Sequence, residues 1–283
     1  MLPPSPPSNG ELLPSACHPV RPVRRFGALS AKAFRGYLRL ATGLLAALSV
    51  ATSLADTVQV AVAANFSTPL KAVANAFAAD TRHKLVISSG ATGKLFAQIA
   101  SGAPFDVFLS ADEATVTQLE QSGHAVAGTR FTYATGRLVL WSASASGVDR
   151  DGVVLKSGAF EKIALASPKT APYGAAAIET LTRLGLLDSL SPKFVMGESI
   201  GQAYSFVATG NAPLGFVALS QVMENGKIKS GSAWVVPANL HHALRQDAVL
   251  LDRGKSSAGA TAFLQYLKSD KAIGVIRSFG YEQ

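Results

Sequence analysis

Four short stretches of this sequence place neutral hydrogen-bond donors where helices begin. They are Ala64-Asn65-Phe66-Ser67, Ala91-Thr92-Gly93, Pro172-Tyr173-Gly174 and Glu198-Ser199-Ile200. Each follows a short apolar run and precedes apolar residues that recur at three and four positions, the periodicity of a helix packed on one face. The first backbone N–H groups of a helix have no carbonyl partner within it and sit at the positive end of its dipole. They require an acceptor, which a side-chain cap, water or a bound anion can supply. Taken singly these are ordinary capped helix starts; taken together, two in each half of the chain, they suggest an anion held between two lobes.

Catalytic chemistry is poorly represented. The only cysteine, Cys17, lies near the N-terminus, and no Gly-x-Ser-x-Gly turn is present. His83, His124 and the adjacent pair His241-His242 lack metal-site spacing and read as surface or structural residues. Carboxylates are scattered at helix starts and in loops, which leaves a hydrolase using dispersed Asp and Glu as an alternative. The stretch "SSGATGKL" (88–95) has Ser88 where a phosphate loop needs its first glycine and Leu95 where it needs Ser or Thr, so nucleotide binding is not expected.

The elements that must position these turns alternate. Strands are expected at 58–63, 84–88, 107–110, 137–141, 162–166, 193–196, 214–218 and 232–236. Helices are expected to start near Thr68, Gly93, Asp112, Gly174, Ile200 and Ser257. This pattern predicts an α/β fold with mixed, mostly parallel sheets. Ser110-Ala-Asp-Glu113 matches a capping box, and Thr68-Pro69 places proline at the first helical position. No glycine- or serine-rich linker follows residue 56, so two domains would be joined along strands.

Of the 283 residues, 48% are apolar and 16% charged, enough to build packed cores. Residues 1–55 differ in kind: a proline-rich start (Pro3, Pro4, Pro6, Pro7 and Pro14), a basic stretch, then the apolar run 38–54, with Ser53-Leu54-Ala55 at its end. They read as an extended N-terminus plus a signal peptide cleaved before Asp56, because the apolar part is too short for a membrane span. The formal charge of +8 falls to +3 without them, since six of the 26 basic residues and one of the 18 acids lie there. No clustered basic face is left for nucleic acid. An exported chain without cysteine suits a bacterial periplasm.

Five segments carry a resemblance. "VAANFSTPLKAVANAF", "GATGKLFAQIASGAPFDVFLSAD", "SPKTAPYGAAAIETL", "GESIGQAYSFVATGNAPLGFVALSQV" and "AFLQYLKSDKAIGVIRSFGY" resemble, in order and over residues 57–283, the periplasmic molybdate-binding proteins of bacterial molybdate ABC transporters. The resemblance implies a type II periplasmic binding protein, two α/β lobes that close by a hinge on a bare tetrahedral oxyanion. Residues 57–136 and 237–283 would form lobe I, and 137–236 lobe II. The ligand would be molybdate or tungstate, with sulfate or another oxyanion as the alternative. An inner-membrane permease with its cytoplasmic ATPase would be the partner, and the receptor would act as a monomer without a cofactor. An enzyme or a regulator's effector domain of the same fold are the alternatives from other classes.

By this resemblance Asn65 and the Ala64 backbone meet the oxyanion. Thr92 gives its hydroxyl and N–H, and Tyr173 and Ile200 give backbone N–H groups. The metal would be met only as molybdate oxygens, with no side chain bound to it. Many members carry a tyrosine where this chain has Ala218, and those members have serine at the position of Asn65. The expectation is that the Asn65 carboxamide N–H replaces the missing phenol. Lys and Arg are absent from the four turns, and the only carboxylate is that of Glu198. A donor-only pocket leaves the proton of hydrogen phosphate without an acceptor, at a cost of about 1–3 kcal/mol. Molybdate, tungstate and sulfate, all fully ionised, are then separated by cavity size alone.

Overall fold

The computed structural model describes residues 55–282. The expected extended N-terminus and signal peptide, apart from its last residue Ala55, lie outside these residues.

The chain opens with β1 (Thr57–Ala63), a 3-10 turn (Ala64–Phe66), α1 (Ser67–Thr81), β2 (Lys84–Gly90), α2 (Thr92–Ala100), β3 (Val107–Leu109) and α3 (Glu113–Gln121). Two strands in series, β4 (Phe131–Gly136) and β5 (Leu138–Ser142), then carry it from one sheet to the other. The middle of the chain holds α4 (Val153–Ser157), β6 (Ile163–Ala166), α5 (Pro172–Arg183), α6 (Leu187–Leu190), β7 (Phe194–Gly197), α7 (Ile200–Ala208), β8 (Leu214–Ala218) and α8 (Leu219–Val222). A small hairpin of β9 (Met223–Glu224) and β10 (Lys227–Ile228) follows, then β11 (Ser232–Val235). Strand β12 (Leu244–Leu250) returns to the first sheet, and α9 (Ala258–Tyr266) and α10 (Asp270–Ser278) close the fold.

The two five-stranded sheets have orders β2-β1-β3-β12-β4 and β11-β5-β8-β6-β7. Both are mixed. Parallel pairs form where a helix separates consecutive strands, as in β1/β2 and β6/β7. Antiparallel pairs come from β12, against β3 and β4, and from β5, against β8 and β11. The connection between lobes therefore runs along strands, as the missing linker required. Each sheet has its own core: Val58, Val60, Phe66, Leu70, Phe77 and Phe263 around the first, and Leu138, Leu140, Leu165, Leu181 and Phe216 around the second.

Helix α1 buries Pro69, Leu70, Val73 and Phe77, one face at helical spacing, and ends at Arg82 in the left-handed region (φ 67°). Its boundary differs from expectation: the helix begins at Ser67, so Pro69 is its third residue. The proline still costs nothing, because N–H groups of the first turn have no intrahelical acceptor. The capping box at residues 110–113 does not form. Asp112 is the cap, its carboxylate accepting from Thr115 N–H at 2.7 Å. Ser110 Oγ accepts from Asp112 N–H instead, and Glu113 pairs with Arg245 at 3.0 Å.

Asp56 anchors the start of β1. Its carboxylate accepts from Gly259 N–H at 2.9 Å and Ser257 Oγ at 3.1 Å at the N-terminus of α9. These bonds hold its pKa below the ordinary 3.8. The stabilisation is fully present above that value and is lost as pH falls through the lower native pKa. Acid unfolding of Asp56→Asn is expected to begin at higher pH than that of the wild type and to converge with it at the lowest pH, measured by circular dichroism.

Candidate functional site

The four donor turns meet. Ala63, Ala64, Asn65, Gly90, Ala91 and Thr92 from the first sheet's side, and Ala171, Pro172, Tyr173 and Ile200 from the second, line one cavity of about 10 Å³. That is space for about one water. Asn65, Thr92, Tyr173 and Ile200 are each at most 3% exposed. Larger grooves of about 310 and 620 Å³ open beside it, the first sharing Ala111, Ala171 and Pro172, the second Gly90 and Ala91.

Each turn presents its donor for a local reason. Thr92 is the first residue of α2, so its N–H has no intrahelical acceptor. Its hydroxyl oxygen already accepts from Ala111 N–H at 3.3 Å, which commits a lone pair and leaves the proton to donate elsewhere. Pro172 begins α5 and has no N–H, so the first donor of that helix belongs to Tyr173. Ile200 begins α7 after Ser199, whose Oγ is used on Gln202 N–H at 3.3 Å. The 3-10 turn after β1 exposes the N–H groups of Ala64 and Asn65 in the same manner.

The two sides are already in contact. Gly93 N–H donates to Thr170 O at 2.9 Å, and a Cβ on Gly93 would stand 3.2 Å from Thr170 Cα. A Cβ on Gly201 would stand 3.4 Å from Ala64 Cβ. Lys94 Nζ and Glu198 Oε2 form an ion pair at 2.6 Å across the cleft, half to two-thirds exposed. Neither charge lines the cavity, so the carboxylate that could have accepted a phosphate proton is occupied outside it. Exposed pairs contribute about 0–1 kcal/mol. Lys94→Ala is therefore expected to change anion affinity by no more than a few-fold, with an even smaller effect at 0.5 M salt, read by calorimetric titration.

The Asn65 carboxamide corrects one expectation. Its nitrogen donates to Gln246 Oε1 at 2.8 Å and to Tyr281 OH at 2.9 Å, using both N–H groups inside the protein. It therefore does not stand in for the phenol missing at Ala218, and the donor that Asn65 has left is its backbone N–H. At Ala218 another residue does the local work. Gln221 Oε1 accepts from Ala218 N–H at 2.9 Å, and its Nε2 donates to Ile200 O at 3.1 Å, which steadies the start of α7.

Beneath the cavity lies a buried polar network that sequence reasoning missed. Gln246 accepts from Asn65 and lies 3.0 Å from Tyr133 OH, and its Nε2 donates to Tyr173 OH at 3.0 Å. Ser220 Oγ donates to Asn65 O at 2.8 Å, and Tyr281 OH lies 3.0 Å from Ser220 Oγ. Burial pushes all three phenols up, Tyr281 to about 12 and Tyr133 and Tyr173 well above the ordinary value, so they stay neutral around physiological pH. The one visible signal was the polar run Arg245-Gln246-Asp247 directly ahead of apolar Ala248-Val249-Leu250.

The histidines take no part. His83 Nδ1 accepts from Asp56 N–H at 2.9 Å and the ring stacks on Phe77. His242 bonds Glu179 at 2.8 Å, and His241 bonds the next residue's carbonyl. His124 sits in the loop after α3.

Two mixed α/β lobes that meet at a cavity ringed by helix starts give the architecture of the periplasmic binding-protein class. The chain belongs to the bacterial extracellular solute-binding protein family, whose profile matches residues 58–282. It is 54% identical over 243 residues to the molybdate-binding protein ModA of Azotobacter vinelandii, covering 86% of this chain and 96% of the relative. To the ModA of Rhodobacter capsulatus it is 51% identical over 221 residues, 78% of this chain and 86% of the relative. The solved structure of an Azotobacter vinelandii periplasmic molybdate-binding protein superposes with a TM-score of 0.78 at 44% identity, covering 80% of this chain and 99% of that one.

Proposed function

We propose that this protein is an extracytoplasmic receptor that captures molybdate and delivers it to an ABC permease. The observation that carries the reading is the convergence of four helix starts on one cavity in which every donor is neutral and the nearby carboxylate is paired outside. Relatives named for molybdate at more than 50% identity support the choice of ligand. Tungstate, of the same charge and shape, would bind in the same way, and the receptor would work as a monomer exported through a cleaved signal peptide.

The ligand contacts in this reading are the N–H groups of Ala64, Asn65, Tyr173 and Ile200, and both the N–H and hydroxyl of Thr92. Each bond to a dianion is worth about 1.5–3 kcal/mol, so these donors together offset much of the dehydration cost without a counter-charge. The lobes would comprise 57–136 with 237–283, and 137–236, hinged where β4 passes into β5 and β11 returns to β12. A cavity with space for one water is smaller than a tetrahedral oxyanion, so entry requires the lobes to part.

Thermal unfolding with an anion panel tests the reading. Molybdate at a thousand times its dissociation constant should stabilise the protein by about 4 kcal/mol, a shift of several degrees. Sulfate, phosphate and chloride at the same concentration should shift it little. A shift with sulfate alone would favour the sulfate receptor instead.

A further inference from the structure

We propose that Gln246 is a positioning residue that fixes the spacing of the two lobes across the cavity, and so sets which size of oxyanion it accepts. This role rests on the receptor reading above. Gln246 lies on β12, one strand from the edge of the first sheet, and is fully buried. Its amide is divided between the two sides. The oxygen receives Asn65 Nδ2 at 2.8 Å and stands 3.0 Å from Tyr133 OH, both from the first sheet's side. The nitrogen donates at 3.0 Å to the phenol of Tyr173, at the start of α5, which packs on the second sheet.

The two residues it joins are the ones whose backbone donors open the turns on opposite walls of the cavity. Asn65 follows β1 and Tyr173 begins α5, and one planar amide fixes the side chain of each. A carboxamide suits this position because it presents an acceptor to one lobe and a donor to the other at a fixed separation. An apolar side chain would take one buried partner from the carboxamide of Asn65 and one from the hydroxyl of Tyr173.

The backbone that crosses between lobes presses on the same bond. A Cβ on Gly136, the last residue of β4, would fall 2.0 Å from Tyr173 Oη and 2.5 Å from Gln246 Nε2. Glycine there lets the crossing strand lie against the Gln246–Tyr173 bond, so the hinge and the lobe spacing share one packed contact. Ser220 and Tyr281 fix the carbonyl side of Asn65 in the same layer, at 2.8 and 3.1 Å. The turn that carries the Asn65 N–H is thus held at its carbonyl by Ser220, which follows β8 of the second sheet, and at its carboxamide by Gln246, which carries the tie on to Tyr173 at the opposite wall.

The test is calorimetric titration of wild type, Gln246→Leu, Tyr173→Phe and the double variant with molybdate and with sulfate, alongside the ligand-free thermal midpoint of each. Tyr173→Phe removes the accepting oxygen and keeps the backbone N–H, so it carries the test if Gln246→Leu does not fold. Each single change is expected to weaken molybdate binding by about tenfold or more and to narrow the molybdate-to-sulfate ratio. The double variant is expected to lose little beyond either single one, because both remove the same bond. A lower midpoint with unchanged affinity and ratio would reduce Gln246 to a structural residue and overturn the proposal, as would fully additive losses. Wild-type protein that binds no molybdate in these titrations would overturn the receptor reading and this role with it.

Discussion

Thr92→Ala is expected to weaken molybdate binding by about ten- to a hundredfold, from the loss of one hydroxyl bond to a dianion worth about 1.5–3 kcal/mol. The hydroxyl oxygen accepts from Ala111 N–H, which aims its proton away from Ala111. No other residue of α2 reaches the cavity. Alanine keeps the backbone N–H and the helix start, so the protein should still fold, with a small destabilisation from the unpaired Ala111 N–H. Thr92→Ser restores the hydroxyl and should recover most of the affinity. Equal dissociation constants for Thr92→Ala and wild type, read by calorimetry, would remove Thr92 from the contact set.

Gly174→Ala should damage both fold and binding. A Cβ at this position would lie 2.3 Å from the carbonyl oxygen of Ala166 and 2.8 Å from its carbon, both backbone atoms at the end of β6. No side chain can move aside, so the start of α5 must shift away from the sheet. Overpacking of this kind costs about 1–3 kcal/mol, a fall of roughly 2–10 °C in the thermal midpoint for a chain of this size. The same shift displaces the N–H of the adjacent Tyr173 from the cavity. Molybdate affinity should therefore fall by more than the stability loss explains, and the ligand-induced rise in midpoint should shrink. A variant as stable as wild type would show that α5 has space that the close approach denies it.

Much of this was legible in the sequence, for reasons that can be named. Helix starts at Thr92, Pro172 and Ile200 were visible because apolar periodicity resumes just after a polar or proline-containing turn. Strand β12 was not predicted, because Arg245, Gln246 and Asp247 interrupt its apolar pattern at its start. Arg245 is polar because it faces outward and pairs with Glu113, whereas Gln246 and Asp247 meet partners from elsewhere in the fold: Gln246 the network under the cavity, and Asp247 the guanidinium of Arg130 and the Thr132 hydroxyl at 2.8 Å. Strand β4 was missed for a related reason, since its polar Thr132 and Thr135 find their partners only when β12 and the C-terminal residues pack beside it.

The direction of the Asn65 carboxamide was the clearest misreading. Its acceptors, Gln246 and Tyr281, lie 181 and 216 residues away in sequence. The resemblance, with a phenol missing at Ala218, assigned the carboxamide to the ligand as its replacement. The structure separates two layers: backbone N–H groups and one hydroxyl facing the cavity, and side-chain amides and phenols behind them. The outer layer depends on where helices begin, which sequence shows, and the inner one on tertiary contacts, which it does not.

Isothermal titration of molybdate at pH 7.5, repeated with a large excess of sulfate and then of phosphate, tests the central claim most directly. Neutral donors from both lobes converging on one cavity predict one site per chain, an isotherm little changed by either competitor, and displacement by tungstate. Displacement of molybdate by phosphate would mean that the cavity offers a proton acceptor, and would contradict the account.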